Sequence, residues 1–417
     1  VFAPLLFVKV ILTPKYRTRS GKRLGFGLGQ SPGGAGSGAP RIWVHALSVG
    51  EVASSRNLVQ ELRRSYPQGV ILFSSATRSG ESFARSTLHD HVDCFVPFPF
   101  DLLWSVKRLI SWARPDLFVL VETDFWPNFL AELHRRDIPS VLVNGRASDS
   151  SFARYRKLHW LFSPVFNSFQ SLAMQTEQDA ISMRRLGVAP ERLVVLGNLK
   201  YDAALPGSSA KAGLDRAALG IPAQALVWVA GSTHPGEEEI ILDTFQKLVQ
   251  SCASLFLIVA PRNAERGAEV ADMAARLGLS VSRRSQGGAG QCPVLVLDTL
   301  GELASVYALC DVAFIGGSLV PQRGHNPLEP AVFGKPVLFG PHMEDFAEIS
   351  SDLLAVGGAR QVHDADELCG GLSLLLADSV ERERVGRQAQ TLVVSRRGVT
   401  EAHLALIRSV LAREERG

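Results

Sequence analysis

No carboxylate occurs in the first fifty residues of this chain; Glu51 is the first acid. The same stretch carries Lys9, Lys15, Arg17, Arg19, Lys22, Arg23 and Arg41, so a chain with a net charge of only +3 opens on a basic segment. Cysteine is scarce: Cys94, Cys252, Cys292, Cys310 and Cys369 are odd in number and widely spaced. That argues against a disulfide framework and a zinc knuckle, and fits a reducing compartment. There is no H-E-x-x-H, and His89-Asp90-His91, lacking a partner motif, reads as surface loop rather than a ligand pair. The absence of a Walker A sequence speaks against nucleoside triphosphate hydrolysis. No cluster of ligands suggests a metal, and no cofactor is expected. Gly34-x-Gly36-x-x-Ala39 has dinucleotide-fingerprint spacing but no strand before it, which disfavours a nicotinamide-dependent oxidoreductase. The apolar run Val1–Leu12, interrupted by Lys9, falls short of the roughly 20 residues that span a bilayer.

What is present describes an ordinary folded protein, 46% apolar and 20% charged, and 417 residues suggest two domains. Residues 1–40 read as a membrane-proximal basic segment followed by a Gly-rich tether, Gly25 to Pro40. An apolar stretch followed by basic residues suits an anionic membrane surface, with a disordered tail as the alternative. The chain opens on Val, so the expectation is that a longer anchor has been removed. Nucleic acid is not expected as a partner, because the charge is not interleaved with aromatics along a fold. Beyond the tether, short apolar runs alternate with amphipathic helical stretches. The runs are Ile42–Leu47, Val70–Ser74, Leu117–Val121, Ser140–Val143 and Leu172–Met174, then Leu226–Ala230, Leu255–Ala260, Val294–Leu297, Val312–Ile315 and Pro336–Phe339. This alternation implies α/β architecture with two doubly wound parallel sheets, over residues 41–205 and 206–417. Leu205 to Ala210 is the expected hinge. A last helix, Glu401 to Glu415, could pack on either half and is grouped with residues 206–417.

Ligands of open α/β sheets bind beyond the carboxyl ends of the strands, and the polar clusters lie at such ends. Glu51 follows the first run, Glu122-Thr123-Asp124 the third and Asn144-Gly145-Arg146 the fourth. Gly197-Asn198-Leu199-Lys200 follows a further short run, Leu193–Leu196. In the second half Gly231-Ser232-Thr233-His234, Pro261-Arg262 and Gly316-Gly317-Ser318 do the same. Ser48 to Glu51 fits a capping box ahead of a helix whose Val52, Leu58, Val59 and Leu62 share a face, so Glu51 taken alone reads equally well as a helix cap. In GGSLVPQRGHNPLEP (316–330), Asn326, Pro327 and Glu329 read as the start of a helix whose N-terminus suits a phosphate. Arg262 would add a charge-assisted contact.

Eight ordered motifs carry a resemblance: HALSVGE, VETDFWPN, NGRASDSSFARY, GNLKYD, AGSTHPGEE, APR with ER after it, DTLGEL and GGSLVPQRGHNPLEP. Together they resemble the 3-deoxy-D-manno-oct-2-ulosonic acid (Kdo) transferases of Gram-negative bacteria, from about Arg41 to beyond Glu348. The resemblance implies a GT-B fold: two facing Rossmann-like domains with an interdomain cleft, acceptor in the first and sugar nucleotide in the second. It implies inverting, metal-independent transfer of Kdo from CMP-Kdo to a lipid A precursor, at the cytoplasmic face of the inner membrane. By position, Glu51 matches the general base, and Glu122 and Lys200 match residues stabilising the transition state. Pro261, Arg262, Leu300, Gly301, Glu302, Asn326, Pro327, Leu328 and Glu329 match the CMP-contacting segments. Arg323 stands where the family often has Gly, and Asn263-Ala264 where it often has His-Pro. Two rivals remain: another GT-B enzyme with a different nucleotide sugar, and a membrane-tethered nucleotide-binding protein without catalysis.

Overall fold

A computed structural model describes residues 20–33, 39–122, 125–147, 149–204, 214–287 and 292–414. The apolar and basic residues before Ser20, the Gly34–Gly36 spacing, Thr123, Asp124 and the expected hinge Leu205–Ala210 lie outside the described residues. The chain divides into two compact units. The first runs through Ala203 and resumes at Gly398; the second is Ala204–Arg397.

The first unit holds seven parallel strands: β1 (Arg41–Ala46), β2 (Val70–Ser75), β3 (Cys94–Phe95), β4 (Leu117–Val121), β5 (Ser140–Gly145), β6 (Ser171–Met174) and β7 (Leu193–Val195). Their order is β3-β2-β1-β4-β5-β6-β7. Successive side chains of a strand point to opposite faces, and both faces are covered. Trp43 joins one cluster, where its ring meets the edges of Phe118 and Phe129 at 5.9 and 5.3 Å. Its neighbours Ile42 and Val44 join the other cluster, with Val52, Leu58 and Leu62 of the Val49–Ser65 helix.

The second unit repeats the plan with β8 (Leu226–Thr233), β9 (Leu255–Pro261), β10 (Val281–Arg283), β11 (Val294–Val296), β12 (Val312–Ile315), β13 (Val337–Phe339) and β14 (Ala359–Gln361). Their order is β10-β11-β9-β8-β12-β13-β14. All ten apolar runs are strands. Of the remaining four, β3, β10 and β14 had no apolar run and β7 only a short one. All four are sheet edges of two or three residues. An edge strand is covered on fewer sides, so its sequence need not be continuously apolar.

One expected boundary is corrected. The C-terminal helix, grouped with residues 206–417, starts at Val399 and belongs to the first unit. Leu404, Ile407, Val410 and Leu411 form its apolar stripe and enter the same cluster as Val52 and Val119. The helical period shows that a stripe exists; only packing shows that its complement is the Val49–Ser65 helix. Ile407 is fully buried there. Ile407→Ala is therefore expected to lower the stability of the first unit by about 2–5 kcal/mol, read as an earlier calorimetric transition with the second unit's transition unmoved.

Candidate functional site

The two units carry separate strand-end sites. In the first, the sheet's topological switch lies between β1 and β4, where successive connections leave in opposite directions. Glu51 follows β1 and Glu122 follows β4, so the two carboxylates flank the switch. Ser48 is the N-cap of the Val49–Ser65 helix and its hydroxyl accepts the Glu51 N–H at 3.4 Å. The Glu51 carboxylate passes the cap's own N–H and accepts from the Leu47 N–H at 2.6 Å and the Ser48 hydroxyl at 3.2 Å. Only half of the expected capping box therefore forms. The other half is a carboxylate aimed back along the end of β1, buried but for 8% of its surface.

Glu122 has φ +61°, a left-handed conformation costly for a residue with a long side chain. Its N–H donates to Val143 O at 2.9 Å, and its carboxylate accepts from Asn144 Nδ2 at 3.4 Å. Asn144, at the end of β5, is also left-handed, at φ +57°. Its Oδ1 accepts the Leu199 N–H at 2.9 Å and its carbonyl accepts from Gln175 Nε2 at 2.9 Å. Asn198 accepts the Lys200 N–H at 3.0 Å and donates to Gln175 at 3.0 Å. Lys200 follows β7 at the far edge of the sheet, yet this chain of amides brings its segment back to the end of β5. Glu122 and Lys200 thus share one scaffold through Asn144, a residue whose type and place at a strand end were visible in the sequence but whose role was not.

The second site is built at the switch between β8 and β12. A Cβ on Gly316 would lie 2.3 Å from Ser232 O, so only glycine lets the end of β12 approach the end of β8 this closely. Glu237 ties the two ends together: its carboxylate accepts from the backbone N–H groups of His234 (3.0 Å), Gly317 (2.7 Å), Ser318 and Leu319 (both 2.9 Å). Burial pushes its carboxyl up while the four donors pull the other way. His234 and His325 lie with Nε2 atoms 2.9 Å apart and rings nearly parallel over Gly317. Burial, and then the Arg262 charge, push both imidazoles down, His325 to about 4. The sequence places His234 in a strand-end cluster but gives no sign of its pairing with His325 or of the role of Glu237; a His beside a Gly-rich turn is too common a pattern to signal a pair 91 residues apart.

Pro261 ends β9, and the Arg262 N–H donates to Thr233 O at 2.9 Å, leaving the guanidinium exposed. Leu300 is 80% exposed and Gly301 has φ +80°. The Glu302 carboxylate is held by Arg284 and Thr299, so this turn offers backbone rather than a free acid. The expected helix start at Asn326 is corrected. The helix is one turn, Leu328–Ala331; Asn326 Oδ1 accepts the Leu328 N–H at 3.1 Å, and Pro327 precedes the helix instead of opening it. Glu329 bonds to the Asn326 side chain, and burial lifts its carboxyl to about 7. A single turn sums few peptide dipoles, so the exposed Arg262 guanidinium is the stronger positive charge near it. Arg323 sits at φ +69°, which explains why glycine suits that position, and its guanidinium is tied to Asp345 at 2.8 Å. Among the described residues no group of three or more His, Cys, Asp and Glu could hold a metal ion.

Two seven-stranded parallel sheets, each with its polar residues at the switch-point strand ends, put the chain in the GT-B fold class. Solved structures share the fold. A UDP-GlcNAc 2-epimerase from Neisseria meningitidis bound to UDP-GlcNAc superposes with a TM-score of 0.60 at 12% identity, over 85% of this chain and 99% of that one. A family model described as 3-deoxy-D-manno-octulosonic-acid transferase (kdotransferase) matches residues 18–203. The chain is 35% identical to the 3-deoxy-D-manno-octulosonic acid transferase of Haemophilus influenzae over 99% of its own length and 95% of that protein. It is 30% identical to the enzyme of the same name from Bordetella pertussis, over 89% of each. The chain belongs to the 3-deoxy-D-manno-octulosonic acid transferase family.

His403 gives the first unit a pH signature. Burial pushes its imidazole down to about 4, against about 6.5 in an unfolded chain. The folded state therefore resists its protonation: the contribution is whole above pH ~6.5 and is lost as pH falls towards 4, up to about 3 kcal/mol. His403→Gln is expected to flatten that part of the acid-unfolding profile of the first unit, measured by melting from pH 7.5 to 4.5.

Proposed function

We propose that this enzyme transfers Kdo from CMP-Kdo to a lipid A precursor, with inversion and without a metal, at the cytoplasmic face of the inner membrane. The observation that carries the reading is that a family match along nearly the whole chain coincides with Glu51 and Glu122 at one switch point. The Glu51 carboxylate takes the proton of the attacking acceptor hydroxyl. The hydroxyl oxygen bonds to the anomeric carbon of Kdo from the face opposite CMP, and CMP departs with the electron pair of the broken C–O bond. Glu122 supports the positive charge that develops on the sugar, and Lys200 offsets negative charge on the departing CMP or the Kdo carboxylate. Arg262, the Leu300–Glu302 turn and Asn326–Glu329 hold the nucleotide in the second unit.

A membrane-facing surface is consistent with an acceptor that is a lipid. Phe26, Leu103 and Trp104 are 52%, 51% and 47% exposed, far above what such side chains need for packing. Phe26 lies against Trp104, Arg108 lies over the Phe26 ring, and Lys22 and Lys107 are exposed beside them. Apolar rings flanked by cations suit an anionic lipid surface. No described helix is long and apolar enough to cross a membrane.

Three outcomes test this reading. Glu51→Gln keeps an acceptor for the Leu47 N–H, so it is expected to melt within about 1 kcal/mol of the wild type while losing ~10²–10⁴-fold in transfer from CMP-Kdo to a tetraacylated lipid A precursor. A wild type that transfers nothing overturns the reading, and UDP-sugars are then the first alternatives to assay. Glu329 ionises near pH 7, and as a carboxylate it is the better acceptor for ribose hydroxyls. CMP affinity is expected to rise from pH 6 to 8 more steeply in the wild type than in Glu329→Gln, by calorimetric titration of both. Trp104→Ala is expected to weaken sedimentation with phosphatidylglycerol vesicles, and the wild type's binding is expected to fall as salt rises.

A further inference from the structure

The mechanism assigns no role to His403, yet its imidazole is fully buried and reaches the candidate site. It comes from the C-terminal helix, which rejoins the first unit only after the chain has passed through the second. Its Nδ1 lies 2.8 Å from Val399 O, which can only accept, so Nδ1 carries the hydrogen. Nε2 then presents a lone pair, and the Asn144 N–H donates to it at 3.1 Å. Asn144 sits where the β5–β6 register shifts, between Leu142 and Gly145, so a side chain takes up its N–H at this point. From the same residue, Nδ2 reaches Glu122 and Oδ1 holds the backbone next to Lys200. A second tie reinforces the first. Asp202, two residues beyond Lys200, accepts the Gly398 N–H at 3.1 Å and the Thr400 N–H at 2.6 Å, closing the start of the same helix.

We infer that His403 is a positioning residue: through Asn144 it sets the left-handed end of β5, and with it the placement of Glu122 and of the Lys200 segment for transfer. The role rests on the transferase reading for its catalytic consequence, but the latch itself does not. Burial holds the imidazole neutral near pH 7, which keeps Nε2 an acceptor; Asp202 is the charged group that pulls its pKa the other way. The geometry gives the helix two jobs. Its apolar stripe supplies core, and its first turn and His403 grip two motif segments, NGR and GNLKYD, at once. A shift of a carboxylate by about 1 Å costs up to ~10²-fold in rate, so loosening this grip is felt in turnover rather than in donor binding.

The test compares full-length wild type, His403→Ala, His403→Gln and Ile407→Ala, the last destabilising the same helix from its apolar face. Assays run well below the lowest melting temperature. His403→Ala is expected to lose about ten- to a hundredfold in kcat with KM for CMP-Kdo unchanged. His403→Gln, whose side-chain oxygen can accept the Asn144 N–H, is expected to recover most of it, and Ile407→Ala to stay within about twofold of the wild type. Hydrogen exchange is followed in parallel: peptides covering Glu122 and Asn144–Arg146 should speed up more than the rest of the first unit in His403→Ala, whereas Ile407→Ala should speed exchange across the unit without singling them out. Unchanged kcat in His403→Ala, or an equal loss in Ile407→Ala, overturns the positioning role. Unchanged exchange overturns the latch. A wild type inactive towards CMP-Kdo overturns the transferase reading alone, and the exchange comparison still decides the latch.

Discussion

Everything functional in this protein depends on parallel strands buried on both faces. A strand such as Leu117–Val121 is apolar throughout because helices cover it above and below, leaving no place along its length for a charged group. Polar side chains are admitted only where the strand stops. Because all the strands of a sheet run the same way, their carboxyl ends share one edge, and the crossovers diverge at one point along it. Glu51 and Glu122 in the first unit, and Arg262, the glycine pair and the histidine pair in the second, collect there for that reason.

At those edges carboxylates tie the backbone together, and the base proposed for transfer is one of them. Glu51 accepts the Leu47 N–H and the Ser48 hydroxyl, so the group read as a helix cap and the group read as a base are one side chain in one position. Glu237 shows the structural extreme: four backbone N–H groups converge on it, and it closes the β8–β12 switch so that Gly316 can pass against Ser232. The donors that fix these carboxylates also orient them. Strain is kept in the same places. Glu122, Asn144 and Ser232 all take left-handed backbone at strand ends, where surrounding hydrogen bonds over-determine them.

The architecture was largely legible in the residues. Ten buried strands announced themselves as apolar runs, with polar clusters following them. The edge strands β3, β10 and β14 did not, because two or three residues with one side uncovered need no apolar run. That the helix at Leu328 is a single turn is not legible, because Asn, Pro and Glu at that spacing signal a helix start and say nothing of its length. The C-terminal helix was visible as a helix but not as a part of the first unit.

The sequence by itself determined the strand-helix alternation, the parallel sheets, the family and the place of Glu51, Glu122, Lys200 and Arg262 just beyond strand ends. These follow from local periodicity and from motifs read within a few residues. Tertiary structure alone decided that Asn144 joins Glu122 to the Lys200 segment, that His234 pairs with His325, and that His403 reaches Asn144 from 259 residues away. A hydrogen bond depends on distance in space, and no local pattern records which two strand ends, or which end of the chain, will be brought within 3 Å of each other.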